Sequence, residues 1–481
     1  MNDALHVAFP TPEMAPFLKT GGLADVSAAL PKALVRLGHR VTVVVPRYGQ
    51  IEPIPGELVG AVQVPLGDSA RTASFYRTLT DDGVEVVFVD HPPFFDRPVP
   101  YGEYDDNRIR FAFLARAALE LFRARRERPS VLHAHDWQTG LVPVYLKAAY
   151  AEDPVLRRVP SVFTIHNVAY RGQFGLDTVA LLGLPWILGT PDALGLEDSV
   201  SYLKGGTLFA ESVSTVSPTY ALEIQGPEHG LGFEKVVRSR AEAVVGILNG
   251  VDYDEWDPRV DRYVVKRYSV ADAAAGKAAN KADVLAAFGL AASPELPLVG
   301  VISRLVWQKG LDIVANAWWD LMRRPLRMVV LGTGEPAVQE GLAALARRDP
   351  SRFAVRFAYD ESLAHRIMAG SDVFLMPSRS EPCGLTQMYA LRYGTVPVVR
   401  ATGGLADTVE PFDAAAGTGT GFRFEQADGT GLMWAIDRAL GAFQDRAVWE
   451  GLRRRGMARD FSWERSAREY VELYRRAAEK A

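Results

Sequence analysis

Four short stretches gather the residues that could do chemistry in this chain. Lys19-Thr20-Gly21-Gly22 sets a cation beside two glycines. Paired glycines let the backbone approach a ligand closely, and a helix opening there leaves N–H groups for an anion. Read alone, the same four residues also make an ordinary strand-to-helix turn with a surface lysine. They match neither the G-x-G-x-x-G fingerprint nor a Walker loop, which counts against a dinucleotide dehydrogenase or an NTPase. Ser303–Gly310 (SRLVWQKG) carries Arg304 and Lys309. A guanidinium forks onto phosphate oxygens and an ammonium adds a point charge, the plain alternative being a solvated pair of surface cations.

The third stretch is Pro377–Thr386 (PSRSEPCGLT). Glu381 can accept hydrogen bonds from sugar hydroxyls, or simply complement a helix N-terminus. Gly384 and the N–H groups after it open a helix suited to phosphate. Cys383 has no histidine beside it in sequence and reads as a pocket-lining thiol rather than a nucleophile. The fourth stretch is split between His133-Ala134-His135-Asp136-Trp137 and Thr164-Ile165-His166-Asn167. His133 and His135 alternate along a strand and share a face, with Asp136 directed away, a poor zinc set. For this pair a hydrogen-bonding sugar pocket competes with satisfied core histidines, and the second reading is preferred. His166-Asn167, at a strand end, reads as functional.

These residues need elements to hold them. Leu5–Pro10 reads as a buried strand. Leu23, Val26, Leu30, Leu34 and Leu37 recur at steps of three and four, one face of a helix, and Pro31 predicts a kink or two abutting helices. Strands follow at Val41–Pro46, Val84–Asp90, Val131–His135 and Ser161–Ile165. A second alternating series begins with a strand at Leu298–Ser303 and a helix at Leu311–Met322. It continues through the strand Arg327–Leu331, the helix Pro336–Arg347, the strand Phe353–Phe357 and the helix Glu361–Ala369. The strand Asp372–Met376, the helix Leu385–Tyr393 and the strand Val396–Val399 complete it. Such alternation predicts two parallel sheets with right-handed crossovers, each binding ligand beyond its strand carboxyl ends where strand order reverses. The turn Asn249–Asp252 places the boundary near Gly250, and the Asp- and Ala-rich stretch to about Asn280 reads as connecting structure.

Bulk properties exclude several function classes. The 481 residues allow two large α/β units. A formal net charge of −4 gives no positive field for nucleic acid or anionic membrane. The single cysteine rules out an intrachain disulfide and fits a reducing cytoplasm. The N-terminus has no basic n-region, and no window offers the ~18 uninterrupted apolar residues of a membrane span.

Taken in order, the motifs resemble those of bacterial glycogen synthases and plant starch synthases. The matching blocks are Lys19–Val26 (KTGGLADV), His133–Leu141 (HAHDWQTGL), Thr164–Tyr170 (TIHNVAY) and Asn249–Asp252 (NGVD), then Ser303–Gly310 and Glu381–Tyr389 (EPCGLTQMY). Gly403–Val409 (GGLADTV) echoes the first block. The resemblance implies a GT-B architecture, two Rossmann-like doubly wound domains facing across a cleft. The expected domains are residues 1–249 on the acceptor side and 250–460 on the nucleotide-sugar side. A last segment, 461–481, is expected to be a helix packing back on the first domain.

The implied reaction moves glucose from ADP-glucose to the non-reducing 4-hydroxyl of an α-1,4-glucan such as glycogen. Anomeric configuration is retained, no metal or other cofactor takes part, and the enzyme is cytoplasmic. The resemblance makes Lys19, His166, Arg304, Lys309 and Glu381 the catalytic set. Lys19 and Gly22 contact the diphosphate, with Asp25 in the same block, and Arg304 and Lys309 neutralise the leaving phosphate. Glu381, Cys383 and Gly384 line the glucose, and Leu385 and Thr386 offer N–H groups to phosphate. His166 sits by the anomeric carbon and bonds the glucose 6-hydroxyl, while Asp136, Asn167 and Asn249 help hold the sugar. Tyr359 lies near adenine and Tyr101 on the acceptor side.

Two positions depart from wider patterns. Tyr389 stands where many retaining GT-B enzymes place a second glutamate, a trait of the glycogen synthase branch. Ala358 precedes Tyr359 where relatives often have glycine. The alternatives are a retaining GT-B enzyme using UDP-glucose, a sucrose synthase, an α-glucan phosphorylase, or a catalytically silent glucan-binding paralogue. No lysine sits in a setting suited to the phosphorylase's pyridoxal cofactor, and the intact Lys19, Arg304, Lys309 and Glu381 count against silence.

Overall fold

The computed structural model describes residues 4–481. The chain divides into two units, one of residues 1–250 with 463–481 and the other of residues 251–462. The strands of the first unit's main sheet are β1 (His6–Pro10), β2 (Arg40–Pro46), β3 (Glu57–Leu66), β4 (Ser69–Leu79), β5 (Glu85–Asp90), β6 (Val131–His135) and β7 (Ser161–Ile165). A small antiparallel sheet follows, of β8 (Gln173–Gly175), β9 (Gly195–Leu196) and β10 (Ser199–Ser201). Two more strands, β11 (Ser212–Thr215) and β12 (Val244–Gly246), return to the main sheet.

The main sheet has the order β12-β11-β7-β6-β1-β2-β5-β4-β3. From β12 through β5 every pairing is parallel. Apart from β12 these strands are largely buried, as a sheet covered on both faces requires. After β1 the chain runs outward to β2 on one side and later to β6 on the other. Strand order therefore reverses beside β1, and the loops after β1, β6 and β7 meet at that end.

Sequence reading found β1, β2, β5, β6 and β7 but missed the parallel strand β11, and it missed β3 and β4, an antiparallel pair extending the edge beyond β5. Much of β3 faces solvent, so it lacks the apolar alternation that reveals a half-buried strand. Pro31 neither splits nor ends the first helix, which runs unbroken from Gly22 to Arg36. Proline in a helix forfeits one backbone hydrogen bond. Here burial of Leu23, Val26, Leu30 and Leu34 outweighs that loss. The helix Trp463–Ala478 lies against the first helix and β6, β7 and β11.

The second unit holds one parallel sheet of β13 (Leu298–Ile302), β14 (Arg327–Leu331), β15 (Phe353–Arg356), β16 (Val373–Met376), β17 (Val396–Arg400) and β18 (Phe422–Phe424). Its order is β15-β14-β13-β16-β17-β18, so the reversal falls between β13 and β16. One core, with Val299, Val301, Trp318, Val330, Leu375 and Ile436 among its members, packs on one side of the sheet. A smaller one around Val284, Leu285, Val329 and Ile367 packs elsewhere on it. The expected connecting stretch before Asn280 is instead part of a helix, Ala273–Ala287. Its buried positions include Lys277, Asn280 and Lys281, polar residues that hid the apolar stripe. The expected helix Leu311–Met322 is interrupted at Ala317 into Leu311–Asn316 and Trp318–Met322. The Ala317 N–H still donates to Ile313, so the break is a local loosening.

Candidate active site

In the first unit the loop after β1 leads to Gly21, which caps the helix Gly22–Arg36. Glu13 organises that loop. Its buried carboxylate accepts from the Thr20 N–H at 2.9 Å and the Thr20 hydroxyl at 2.5 Å. Burial pushes the Glu13 carboxyl above its usual range, and the Tyr101 hydroxyl is buried beside it. Glu13 is a residue that sequence reasoning missed, although a lone glutamate just before a Lys-Thr-Gly-Gly run was a usable signal. Lys19 pairs with Asp25 at 2.7 Å, so Asp25 holds the lysine at the helix N-terminus. A side chain at Gly21 would meet nothing nearer than Glu13 Oε1 at 4.0 Å, so the backbone here is open to an approaching group.

The loops after β6 and β7 converge next to it. Asp136 takes a left-handed conformation, φ +53°, which turns its carboxylate back onto the following loop. It accepts from the backbone N–H of His166 at 2.7 Å and of Asn167 at 3.4 Å. Burial pushes the Asp136 carboxyl up to about 7. Desolvation holds His166 below its usual value, so its ring is neutral at physiological pH. Its Nε2 lies 3.1 Å from Nδ1 of His135. His133 is spent structurally: Nδ1 meets the Tyr474 hydroxyl at 2.9 Å and Nε2 meets Thr164 Oγ1 at 2.6 Å. His135 is buried too, but its Nε2 has no partner among the described residues. Asn249 is buried with its Oδ1 likewise unpartnered among the described residues.

In the second unit the loops after β13 and β16 flank the strand reversal. They bring Lys309 and Glu381 together, with Nζ 2.6 and 2.8 Å from the two carboxylate oxygens. Ser378 Oγ also donates to Glu381 at 3.0 Å. Arg304 is exposed, and its guanidinium makes no hydrogen bond or ion pair among the described residues. Cys383 is buried, Gly384 has φ +69°, and Leu385 caps the helix Thr386–Arg392. The first-turn N–H groups at Leu385 and Thr386 have no acceptor within the helix. Tyr359 is 70% exposed after β15. Tyr389, at the site of the absent second glutamate, stacks on Trp256 with ring centroids 4.0 Å apart.

Further residues position these loops. Arg379 grips Asp312 with two bonds of 2.6 Å and lies over the Trp307 ring, locking the two loops together. Gly310 allows the same approach, since a Cβ there would lie 2.0 Å from the Pro377 carbonyl oxygen. The Gly403-Gly404 pair, visible in sequence only as an echo of the first block, cradles the Glu381 loop. A Cβ on Gly403 would lie 2.0 Å from the Glu381 carbonyl oxygen, and one on Gly404 2.0 Å from that of Cys383.

Each unit therefore carries cations and free N–H groups at the carboxyl ends of its strands, beside groups that bond hydroxyls. Comparison with known proteins agrees with this chemistry. Residues 6–239 match the starch synthase catalytic domain family, and residues 287–449 match the glycosyl transferases group 1 family. A glycogen synthase of Koribacter versatilis is 47% identical over 98% of both chains. The chain belongs to the glycogen synthase family. A second glycogen synthase, from an Anaeromyxobacter species, is 49% identical over 98% of this chain and all of its own. The catalytic domain of starch synthase IV from Arabidopsis thaliana, bound to ADP and acarbose, superimposes with a TM-score of 0.93 at 35% identity. It covers 99% of this chain and 100% of its own. A sucrose-phosphate synthase from Thermosynechococcus elongatus, 17% identical with a TM-score of 0.62 and 98% of each chain covered, shares the fold alone. This glycogen synthase family member is thus a glycosyltransferase with the GT-B fold. Among the described residues no helix is long and apolar enough to cross a membrane.

Proposed function

We propose that this enzyme transfers glucose from ADP-glucose to the non-reducing 4-hydroxyl of an α-1,4-glucan, with retention and without a metal, in the cytoplasm. The observation that carries the reading is the loop pair after β13 and β16, which sets Lys309 against Glu381 at a strand-order reversal. Glu381 accepts sugar hydroxyls there, and Lys309 meets the phosphate beside it. The ADP in the starch synthase IV structure supports adenosine as the nucleoside.

The hard step is departure of a diphosphate from an oxocarbenium-like carbon. Fixed cations and N–H dipoles aimed at the developing charge lower that barrier without reorganising. Lys19, with Gly22 and Asp25 in its loop, serves one part of the diphosphate. Arg304, Lys309 and the N–H groups of Leu385 and Thr386 serve the rest. Glu381, Cys383 and Gly384 line the glucose. His166, neutral and held through Asp136, bonds its 6-hydroxyl, and Asn167 and Asn249 complete the sugar contacts. Tyr359 covers the adenine, and Tyr101 stands on the acceptor side. No side chain is placed as a covalent nucleophile. The leaving phosphate itself takes the proton of the incoming hydroxyl on the same face, which gives retention.

The test is incorporation of labelled glucose into glycogen from ADP-glucose and from UDP-glucose, with EDTA present. Faster incorporation from ADP-glucose, as α-1,4 linkages, is expected. Faster incorporation from UDP-glucose, or dependence on added metal, would overturn the donor or the mechanism.

A further inference from the structure

Away from these loops, the second unit holds a cluster the reaction does not use. Glu361 and His365 stand four residues apart on the helix Glu361–Gly370, so they share one face. Glu255, in the turn after Asp252, comes up to them. One ligand atom from each of the three residues lies within 4.8 Å of the others. Two glutamates near a histidine would mean little alone, because exposed acidic groups gather without any ion.

The state of His365 sets this cluster apart. The residue is fully buried, with relative exposure 0%. Its Nδ1 lies 2.8 Å from Oδ2 of Asp261. That carboxylate also accepts from the Tyr393 hydroxyl at 2.5 Å and the Tyr263 N–H at 2.8 Å. A carboxyl group against Nδ1 sets the ring's orientation and turns Nε2 away from it. That Nε2 is buried and has no hydrogen-bond partner among the described residues. The ring is further clamped by Trp256, stacked at 3.7 Å and 14°. A buried imidazole nitrogen, held rigidly by a carboxylate behind it and facing two carboxylates, is the arrangement of a metal ligand with its supporting partner.

We propose that Glu255, Glu361 and His365 Nε2 bind one divalent transition-metal cation, with Asp261 orienting the histidine. An imidazole nitrogen with two carboxylate oxygens suits zinc or its first-row neighbours rather than calcium or magnesium, which take oxygen donors. Three protein ligands leave a position for water. The ion is structural. It ties the turn carrying Trp256, on which Tyr389 stacks, to the helix that starts two residues after Tyr359. Loading it stiffens the segment before that helix without entering the transfer reaction.

The test uses the untagged full-length chain, stripped with EDTA and titrated calorimetrically with Zn²⁺, and with Co²⁺ followed by its visible d–d bands. Glu255→Gln and Glu361→Gln are the variants, because both side chains reach solvent and the amide keeps their size. The wild-type chain is expected to bind one equivalent of each ion, with a cobalt spectrum of four- or five-coordinate type, and zinc should raise its Tm. Each variant should weaken binding at least about tenfold and lose the Tm shift, while transferring glucose normally in EDTA. No binding by the wild-type chain, or binding that survives either substitution unchanged, overturns the proposal. Neither result depends on which nucleotide sugar the enzyme uses.

Discussion

Replacing Lys309 by alanine should do more than remove a phosphate contact, because the lysine is also the cation against Glu381. The ammonium lies 2.6 Å from one carboxylate oxygen, and the two side chains are 16% and 7% exposed. With charge centres about 4 Å apart and an effective dielectric near 20, the attraction is ~4 kcal/mol, and desolvation of both groups takes back much of it. Among the described residues, Ser378 is the carboxylate's remaining hydrogen-bond partner. A net loss of about 1–3 kcal/mol is expected, a fall of a few degrees in Tm that leaves the unit folded. The catalytic loss is larger, about 10²-fold or more in kcat. Glu381→Ala should cost a similar factor. The double variant should fall far short of the product of the two, because residues acting as one unit are not additive. The assay is the initial rate of ADP release with saturating glycogen, for the two single variants and the double, alongside Tm for each. Near-normal kcat in Lys309→Ala, or strict multiplication of the two effects, would refute the coupled site.

Three further outcomes follow from the geometry. Asp136, raised to about 7 by burial, costs stability in its ionised form. Its folded value lies above the unfolded one, near 3.9, so the contribution of the neutral acid is lost as pH rises from about 4 through 7. Asp136→Asn should therefore gain stability relative to the parent between pH 4 and 8 in urea unfolding, and a pH-independent difference would contradict this. Tyr474→Phe strands the buried Nδ1 of His133 and should cost about 1–3 kcal/mol with little change in kcat, measured by Tm and turnover together. Gly403→Ala drives a methyl group into the Glu381 carbonyl and should cut kcat at least about tenfold by moving the loop. Gly441→Ala, where a Cβ meets nothing within 4 Å inside a helix, is the control and should leave kcat unchanged.

What the sequence made legible follows from what each signal reports. Buried parallel strands such as Arg40–Pro46 and Arg327–Leu331 stood out as valine-rich runs, because both faces of such a strand are buried. The hairpin of β3 and β4 did not, since much of it is exposed. The cation loops were visible because glycine and charge recur at strand ends in an ordered set of motifs, although each loop alone also reads as an ordinary turn. Glu13, Arg379 with Asp312, and the Gly403 cradle were not, because their roles lie in contacts with residues distant in sequence. Nothing local says that Gly403 must clear the Glu381 carbonyl. The histidines divided the same way. His133 is spent on Tyr474, 341 residues later, and no reading of the strand alone could find that partner.

The central claim is that fixed cations stabilise the departing diphosphate. Its most direct measurement is the rate of ADP release from ADP-glucose, with glycogen as acceptor and EDTA present, for the unaltered chain, Lys19→Ala and Arg304→Ala. The account predicts turnover in the unaltered chain and a loss of about 10²-fold or more in each variant, with folding retained. Near-normal rates in either variant, or no ADP release from the unaltered chain, would contradict it.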